Sequence, residues 1–376
     1  MGKNSVNPWI KPNMIASPVI MFPFLFACYS IIELKGEQYQ EKKKKMERIL
    51  PATDENLKKG AEILRKGGLV AFPTETVYGL GANVFLPQAV ARIFEVKRRP
   101  HFDPLIVHIS HHDMVSRLFR EIPPLAEVLM EKFWPGPLTL VLPKKEEVPD
   151  IVTAGLSTVA VRMPAHPVAL KLIEWADTPV AAPSANRFGH LSPTQAEEVA
   201  LDLEEGVDLI LDGGKTQIGV ESTVIMIEEG RIFLLRPGGA SVEEIERWVG
   251  KVETPPPSDK ILSPGALKKH YAPQIPLYLF EGKIEELFSC DLTGVVIVSP
   301  FPITDSRGEI RVLSEEGDIK EVASNLFTVL RELERGPFRA IISLTVEEKG
   351  LGRAIMDRLK RASSGYIKVK DGRLSL

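Results

Sequence analysis

The chain has 376 residues, too many for one ordinary domain and enough for two that each bury their own core. Its 44% hydrophobic and 26% charged residues are those of a globular protein, and its two cysteines, Cys28 and Cys290, exclude a disulfide framework and any cysteine-built zinc or iron–sulfur site. The formal net charge of −3 combines a basic stretch over 1–45 with an acidic one over 46–274. That balance excludes a broad nucleic-acid coat but leaves room for a local cationic cluster holding a phosphate.

The first element is a problem of its own. Pro12 to Ile32 carries no charge, is rich in Phe, Ile, Val and Met, and is flanked by Lys3 and Lys11 on one side and Lys42 to Lys45 on the other. Its composition is that of a membrane span or signal anchor. Against that, Pro18 and Pro23 interrupt it, no small-residue cleavage site follows, and Met46 stands directly before a well-formed globular start. Residues 1–45 therefore read as an extension, disordered or lying upstream of the true start, with a membrane anchor as the alternative. With cysteine usage that suits a reducing compartment, the expected location is cytoplasmic.

Residues 46–250 read as an α/β domain. Leu57, Ala61 and Leu64 recur at helical spacing from Asp54, the expected cap, to Gly67-Gly68, and an apolar strand, Leu69–Phe72, follows. The same alternation predicts helices near 87–97, 112–119, 123–133, 166–176, 194–202 and 241–250. It predicts strands at 105–109, 138–142, 158–162, 180–182 and 209–211, and a hairpin of 223–227 with 231–235 turning at Glu229-Gly230. An antiparallel hairpin in such a domain makes the sheet mixed. Three consecutive prolines at 255–257 can continue neither a helix nor a central strand, so 251–274 reads as an extended linker. Beyond it, strands at 275–280, 294–299 and 339–344 alternate with helices at 281–288, 318–335 and 351–362. Residues 275–376 thus read as a smaller parallel α/β domain.

Familiar nucleotide signatures are missing. Asp212-Gly213-Gly214-Lys215-Thr216 ends like a phosphate loop, but the leading glycine falls on Leu209, and Gly79-Leu80-Gly81 lacks its third glycine at Val84. What stands out instead is polar sequence at strand ends, where ligands of open α/β sheets sit. Pro73-Thr74-Glu75-Thr76-Val77-Tyr78-Gly79-Leu80-Gly81 follows the first strand, with a surface turn as its plain alternative. Lys97-Arg98-Arg99-Pro100 closes a helix as an exposed basic cluster and leads into Asp103 and His108. Pro183-Ser184-Ala185-Asn186 leaves a strand, and Glu221-Ser222-Thr223 and Leu235-Arg236-Pro237-Gly238 flank the hairpin.

In this order the segments resemble the threonylcarbamoyl-AMP synthase family, a YrdC-like twisted mixed-sheet domain followed by a small Rossmann-like, synthase-specific domain. The motifs carrying the likeness are PTETVYGLG, KxRP, PSAN, ESTV with LRPG, and HYAP in the linker. The resemblance implies formation of threonylcarbamoyl-adenylate and pyrophosphate from L-threonine, bicarbonate or CO2, and ATP, with Mg2+ as cofactor. The product serves tRNA threonylcarbamoyladenosine synthesis by a downstream transferase machinery. It further implies a threonine pocket at Thr76, His108, Arg162, Ala182 and Ser222. The implied ATP site comprises Arg99, Asp103, Thr158, Ser184, Ser192, Arg236 and, from the linker, Tyr271. Lys97, Arg99, Ser184 and Asn186 match a polar tetrad near the reacting phosphate.

At position 103 many members carry Asn, so Asp103, an acceptor only when ionised, faces either Mg2+ or ribose or tunes nucleotide binding differently. The reaction needs no side-chain nucleophile, only positioning and compensation of negative charge, and the proline-rich linker is the expected lid. A rival reading is a non-catalytic, RNA-binding or ribosome-associated protein using the Lys97, Arg98, Arg99 cluster. A carbamoyl-transfer enzyme would bring cysteine-rich zinc modules, which two cysteines cannot build.

Overall fold

The computed structural model describes residues 46–203, 205–256, 270–303, 308–370 and 373–375. The segment Pro12–Ile32, Cys28 and the middle of the proline-rich linker lie outside the described residues. Among those residues no helix is long and apolar enough to cross a membrane.

In chain order the first sheet draws on β1 (Ile49–Pro51), β2 (Val70–Pro73), β3 (Tyr78–Asn83), β4 (Ile106–His108), β5 (Leu138–Pro143), β6 (Thr158–Arg162), β7 (Val180–Ala181), β8 (Leu209–Asp212), β9 (Thr223–Glu228) and β10 (Arg231–Arg236). Between them run α1 (Asp54–Arg65), α2 (Pro87–Lys97), α3 (Pro124–Phe133), α4 (Asp150–Thr153), α5 (Pro167–Ala176), α6 (Ala196–Asp202) and, after β10, α7 (Val242–Val249). The strand order is β1-β8-β2-β3-β7-β4-β6-β5-β9-β10, and the pairing is mixed: β4 runs parallel to β6 and β5 to β9, whereas β2/β3, β3/β7, β4/β7, β5/β6 and β9/β10 are antiparallel. The helices pack Leu57, Leu64, Ile93, Leu129 and Leu172 against one face in a continuous apolar core.

The expected elements hold with instructive exceptions. The α1 cap is Thr53, whose Oγ1 accepts from the Asn56 amide at 3.3 Å, rather than Asp54, which contributes its charge to the first turn. Residues 112–117 form a 3₁₀ turn instead of an α-helix. The nonapeptide 73–81 is no surface turn: Thr74 Oγ1 accepts from the Thr76 and Val77 amides at 3.1 and 3.2 Å, closing a tight turn into β3. Its glycines hid the strand, yet they are what it needs. A Cβ at Gly81 would sit 2.7 Å from Phe72 and Val180, so the ring of Phe72 lies across the strand only because Gly81 has no side chain.

The second sheet contains β11 (Leu277–Phe280), β12 (Val295–Ser299), β13 (Glu309–Val312), β14 (Ala340–Ser343), β15 (Gly365–Lys370) and β16 (Arg373–Ser375), with α8 (Ile284–Leu287), α9 (Ile319–Leu333) and α10 (Leu351–Ala362). In the order β13-β12-β14-β11-β15-β16 five strands are parallel, but β16 pairs antiparallel with β15, so the all-parallel expectation is corrected at one edge. Ser375 closes a short hairpin there with Lys368, and the β13 and β15 strands are too charged and exposed to read as buried parallel strands.

The two sheets share one apolar seam. Leu191 and Val220, from the first sheet's connections, and Tyr271 are core residues of the cluster formed by α9 and α10. Polar contacts line its margin: Arg331 Nη1 donates to Asp202 at 2.7 Å and Nη2 to the Leu191 carbonyl at 2.6 Å, while Thr194 and Thr328 hydroxyls meet at 2.9 Å. Gly219, at φ +77°, lies against the α9 backbone, where a Cβ would fall 2.5 Å from Ala323 O and Ser324 Cα. Gly219→Ala is therefore expected to lower unfolding free energy by about 2–3 kcal/mol, through both strain and a parted seam, measurable by denaturant titration.

Candidate active site

The carboxyl ends of β2, β4, β6, β7 and β10 converge with the start of β9 around a cavity of about 50 Å³. All five residues of the implied threonine pocket line it: Thr76, His108, Arg162, Ala182 and Ser222. Arg162 is fixed before any ligand arrives. Its Nε donates to the Gly136 carbonyl at 3.1 Å, its Nη1 to Thr76 Oγ1 at 2.8 Å, and its Nη2 lies 2.6 Å from Glu75. Glu75 was not singled out within the PTETVYGLG run, although a carboxylate between two threonines that are all buried is a signal of an internal ion pair. Ser222 Oγ meets Thr139 Oγ1 at 2.8 Å and accepts from Arg236 Nη2 at 3.2 Å. His108 is driven down to about 3 by burial and then by Arg162, so its imidazole is neutral at ordinary pH.

Of the implied ATP residues, Arg99, Ser184, Arg236 and Tyr271 reach the cavity. Ser192 stands behind it, its hydroxyl donating to Glu221 Oε1 at 2.5 Å. Thr158 is not brought in: it shares a face of β6 with Arg162 but at the other end, roughly 13 Å away, beside Pro143 and the Glu229-Gly230 turn. Asp103 is buried and paired with Arg99, its Oδ2 2.8 Å from Nη2, while Arg99 also donates to the Asp103 and Pro104 carbonyls. Asp103 thus stands as an internal counter-charge for the cavity's arginine, in keeping with the alternative that it tunes nucleotide binding rather than facing Mg2+ or ribose. Burial pushes the Asp103 carboxyl up even with Arg99 beside it.

The expectation of an exposed Lys97-Arg98-Arg99 cluster is corrected. Lys97 is 1% exposed because it falls on the packed face of α2 with Val90, Ile93 and Phe94, and Arg99 is 7% exposed because Arg98 takes a left-handed conformation (φ +51°) that ends α2 and turns the next residue inward. Only Arg98 remains outside, which removes the feature that favoured a nucleic-acid surface. Lys97 Nζ donates to the Ser184 and Asn186 carbonyls, each at 2.5 Å, and burial followed by Arg99 pushes its amine well down. Asn186 likewise braces the loop, donating to the Arg187 and His190 carbonyls at 2.7 and 2.9 Å. Lys97 and Asn186 therefore shape the loop that presents Ser184, rather than lining the cavity themselves.

The linker returns as a cover. Ala272 N donates to the Gly189 carbonyl at 3.1 Å, and His270 and Tyr271 are buried in the cavity wall, Tyr271 stacked on Phe327 with centroids 5.7 Å apart. Burial pulls His270 down to about 3 as well. Glu221 is the opposite case: burial opposes its charge, but Arg358, Arg236 and the Ser192 hydroxyl hold it at about 2.

A mixed-sheet domain with a buried cationic cavity at its strand ends, joined through a linker to a mostly parallel α/β domain, defines a YrdC-like synthase architecture. A family profile described as telomere recombination matches residues 62–238, and one described as threonylcarbamoyl-AMP synthase, C-terminal domain, matches 240–364. The chain is 48% identical over 327 residues to a Pyrococcus abyssi threonylcarbamoyl-AMP synthase, covering 82% of this chain and 94% of that protein. It is 41% identical to the Bacillus subtilis protein of the same name, covering 85% and 96%. The crystal structure of P. abyssi Sua5 complexed with L-threonine superposes with a TM-score of 0.79 at 45% identity, over 86% of this chain and 98% of that one. The chain belongs to the threonylcarbamoyl-AMP synthase family.

Two histidines held neutral at about 3 make stability depend on pH. The unfolded chain binds their protons below about 6.5 and the folded chain does not, so their contribution is complete above that value and is lost as pH falls toward 3. The midpoint of thermal unfolding is expected to drop by about 5 °C between pH 7 and pH 5. Replacing His108 and His270 with Gln should remove most of that drop, as followed by calorimetry.

Proposed function

We propose that this chain joins L-threonine, CO2 or bicarbonate, and ATP into threonylcarbamoyl-adenylate with release of pyrophosphate, as a step toward tRNA threonylcarbamoyladenosine. The observation that carries the reading is Arg162, buried at the cavity floor with its guanidinium plane fixed by Gly136, Thr76 and Glu75. A planar donor held in that way suits a carboxylate in a forked contact. Neutral His108, Thr76 and Ser222 line the same cavity and offer hydrogen-bonding groups that suit an amino acid's hydroxyl and amine.

In the reaction, the threonine amine adds to CO2 and loses a proton. A carbamate oxygen then attacks the α-phosphorus, the bond to the pyrophosphate oxygen breaks, and pyrophosphate leaves. Both the carbamate and the mixed anhydride are destroyed by water, so a closed cavity favours their survival. Arg99 and Arg236 stand where phosphate charge would need compensation, with Ser184 as a neutral donor on the loop that Lys97 braces. His270 and Tyr271 stand in the cavity wall, which suits a lid role for the linker that carries them.

Glu221, the carboxylate in the cavity lining, is committed to Arg358, and behind the lining Glu75 pairs with Arg162 and Asp103 with Arg99. Among the described residues no three His, Cys, Asp or Glu are grouped to hold a metal. We therefore assign Mg2+ to the nucleotide, arriving as MgATP with phosphate and water ligands. A cytoplasmic location and hand-over of the adenylate to a downstream tRNA-modifying transferase complete the proposal.

Pyrophosphate release measured with threonine or bicarbonate omitted in turn tests it. Release is expected only when both are present, and release without either would sink the reading. Arg162→Lys is expected to raise the threonine KM by about tenfold or more with little change in that of ATP. Asp103→Asn frees the Arg99 charge. It should lower the ATP KM several-fold while costing about 2–3 kcal/mol of stability, read from steady-state kinetics and denaturant unfolding of the same preparation.

A further inference from the structure

Arg358 belongs to no motif, lies 137 residues from Glu221 in sequence, and comes from α10 of the second sheet's domain. Its side chain is 0% exposed. A guanidinium so placed is tolerated only with partners, and the partners reveal what it organises. Nε donates to Glu221 Oε2 at 2.6 Å, Nη2 to the Pro237 carbonyl at 3.1 Å, and Nη1 to its neighbour Asp357 at 2.5 Å.

Glu221 and Pro237 are the two ends of the β9–β10 hairpin, immediately before Ser222 and immediately after Arg236. Arg358 therefore bridges the open end of that hairpin where both cavity residues emerge. The packing there leaves no slack: a Cβ at Gly238 would lie 2.2 Å from the Ser222 carbonyl carbon. The second oxygen of Glu221 accepts from Ser192, so one guanidinium fixes a carboxylate, a hydroxyl and two strand ends.

We propose that Arg358 is a positioning residue of the synthase site, holding Glu221 and the Pro237 carbonyl, and through them Ser192 and Arg236, in the arrangement that receives the nucleotide phosphates. The inference rests on the synthase reading above. It makes the second domain a component of the catalytic cavity rather than an appendage. The physical content is charge as well as position. Glu221 lines the cavity, and without Arg358 its carboxylate would face an incoming triphosphate as an uncompensated anion. The other charged or titratable groups acting on Glu221 or on Arg358 are Arg236 of β10, His270 and Tyr271 of the linker, Lys97 of α2 and Asp357 of α10. Arg358 and Ser192 each donate a hydrogen bond to one oxygen of Glu221.

The test uses the full chain with Arg358→Met, Arg358→Lys, Glu221→Gln and the double variant Arg358→Met/Glu221→Gln. ATP affinity is measured calorimetrically without threonine, and KM and kcat are measured for each substrate. Arg358→Met is expected to raise the ATP KM and Kd by about tenfold or more at pH 8, with the threonine KM within about twofold. The penalty should shrink toward pH 6 as the released Glu221 takes up a proton. Adding Glu221→Gln should recover ATP affinity to within about threefold of wild type, which no merely structural role explains. A double variant no better than Arg358→Met, or equal losses for both substrates at every pH, overturns the proposal. Should Arg358→Met fail to fold, Arg358→Lys must show the same split between ATP and threonine, and an even loss counts against it. If the wild type binds ATP but releases no pyrophosphate, the synthase reading fails, and the affinity series still decides the role of Arg358.

Discussion

A cavity that must take up a triphosphate and a carboxylate has to hold several cations in a space from which water is excluded, and it must hold them stably when no substrate is present. Unpaired, each buried guanidinium would cost several kcal/mol, about as much as the net stability of the whole fold allows. The pairing seen here answers that constraint. Arg162 faces Glu75, Arg99 faces Asp103 and Arg358 faces Glu221, each within 2.8 Å. The rest of the architecture follows from where these pairs must stand. The turn of 74–77, the left-handed residue at Arg98 and the hairpin ends at 221 and 237 are the places where backbone delivers them.

The same constraint explains why the two sheets form one continuous body. The loops carrying Ser192 and Glu221 reach across to the other sheet's cluster. Leu191 and Val220 complete their burial inside the other cluster, against α9 and α10. The loops of Ser192 and Glu221 are thus braced from the second domain, while Arg162 is braced within the first by Gly136 and Thr76. The linker sits across both, with Tyr271 packed on Phe327 and beneath the Arg358 guanidinium, 5.1 Å from the ring centroid. An aromatic stack and a cation–π contact thus hold Tyr271 within that cluster.

Much of this was legible from residues alone. Helices α1, α2, α3, α5 and α9 announce themselves by apolar spacing, and the hairpin at Glu229-Gly230 by its turn, both residues taking positive φ. β3 was hidden because strand propensity is a statement about side chains, and Gly79 and Gly81 have none to vote with. β16 pairs only through three residues at an edge, too few for any periodic signal. Thr76 and Ser222 sit in the PTETVYGLG and ESTV motifs, whereas His108, Arg162 and Ala182 could be named only through the family resemblance; all five lie at strand ends of one sheet, which are neighbours whatever the loop lengths.

What the sequence determined by itself was therefore the alternation of elements, the strand-end placement of the polar motifs and, through those motifs, the family. Which charges face which was decided only by tertiary structure. Lys97 and Arg99 look like solvated cations at a helix end until the packing of α2 buries the first and the φ of Arg98 turns the second inward, and Asp103 looks like a ligand-facing acceptor until Arg99 is seen beside it. Arg358 had no local signal at all. An ion pair acts over a few ångströms of space irrespective of the 137 residues of chain between its members, and only the docking of α10 against the hairpin brings that distance to 2.6 Å.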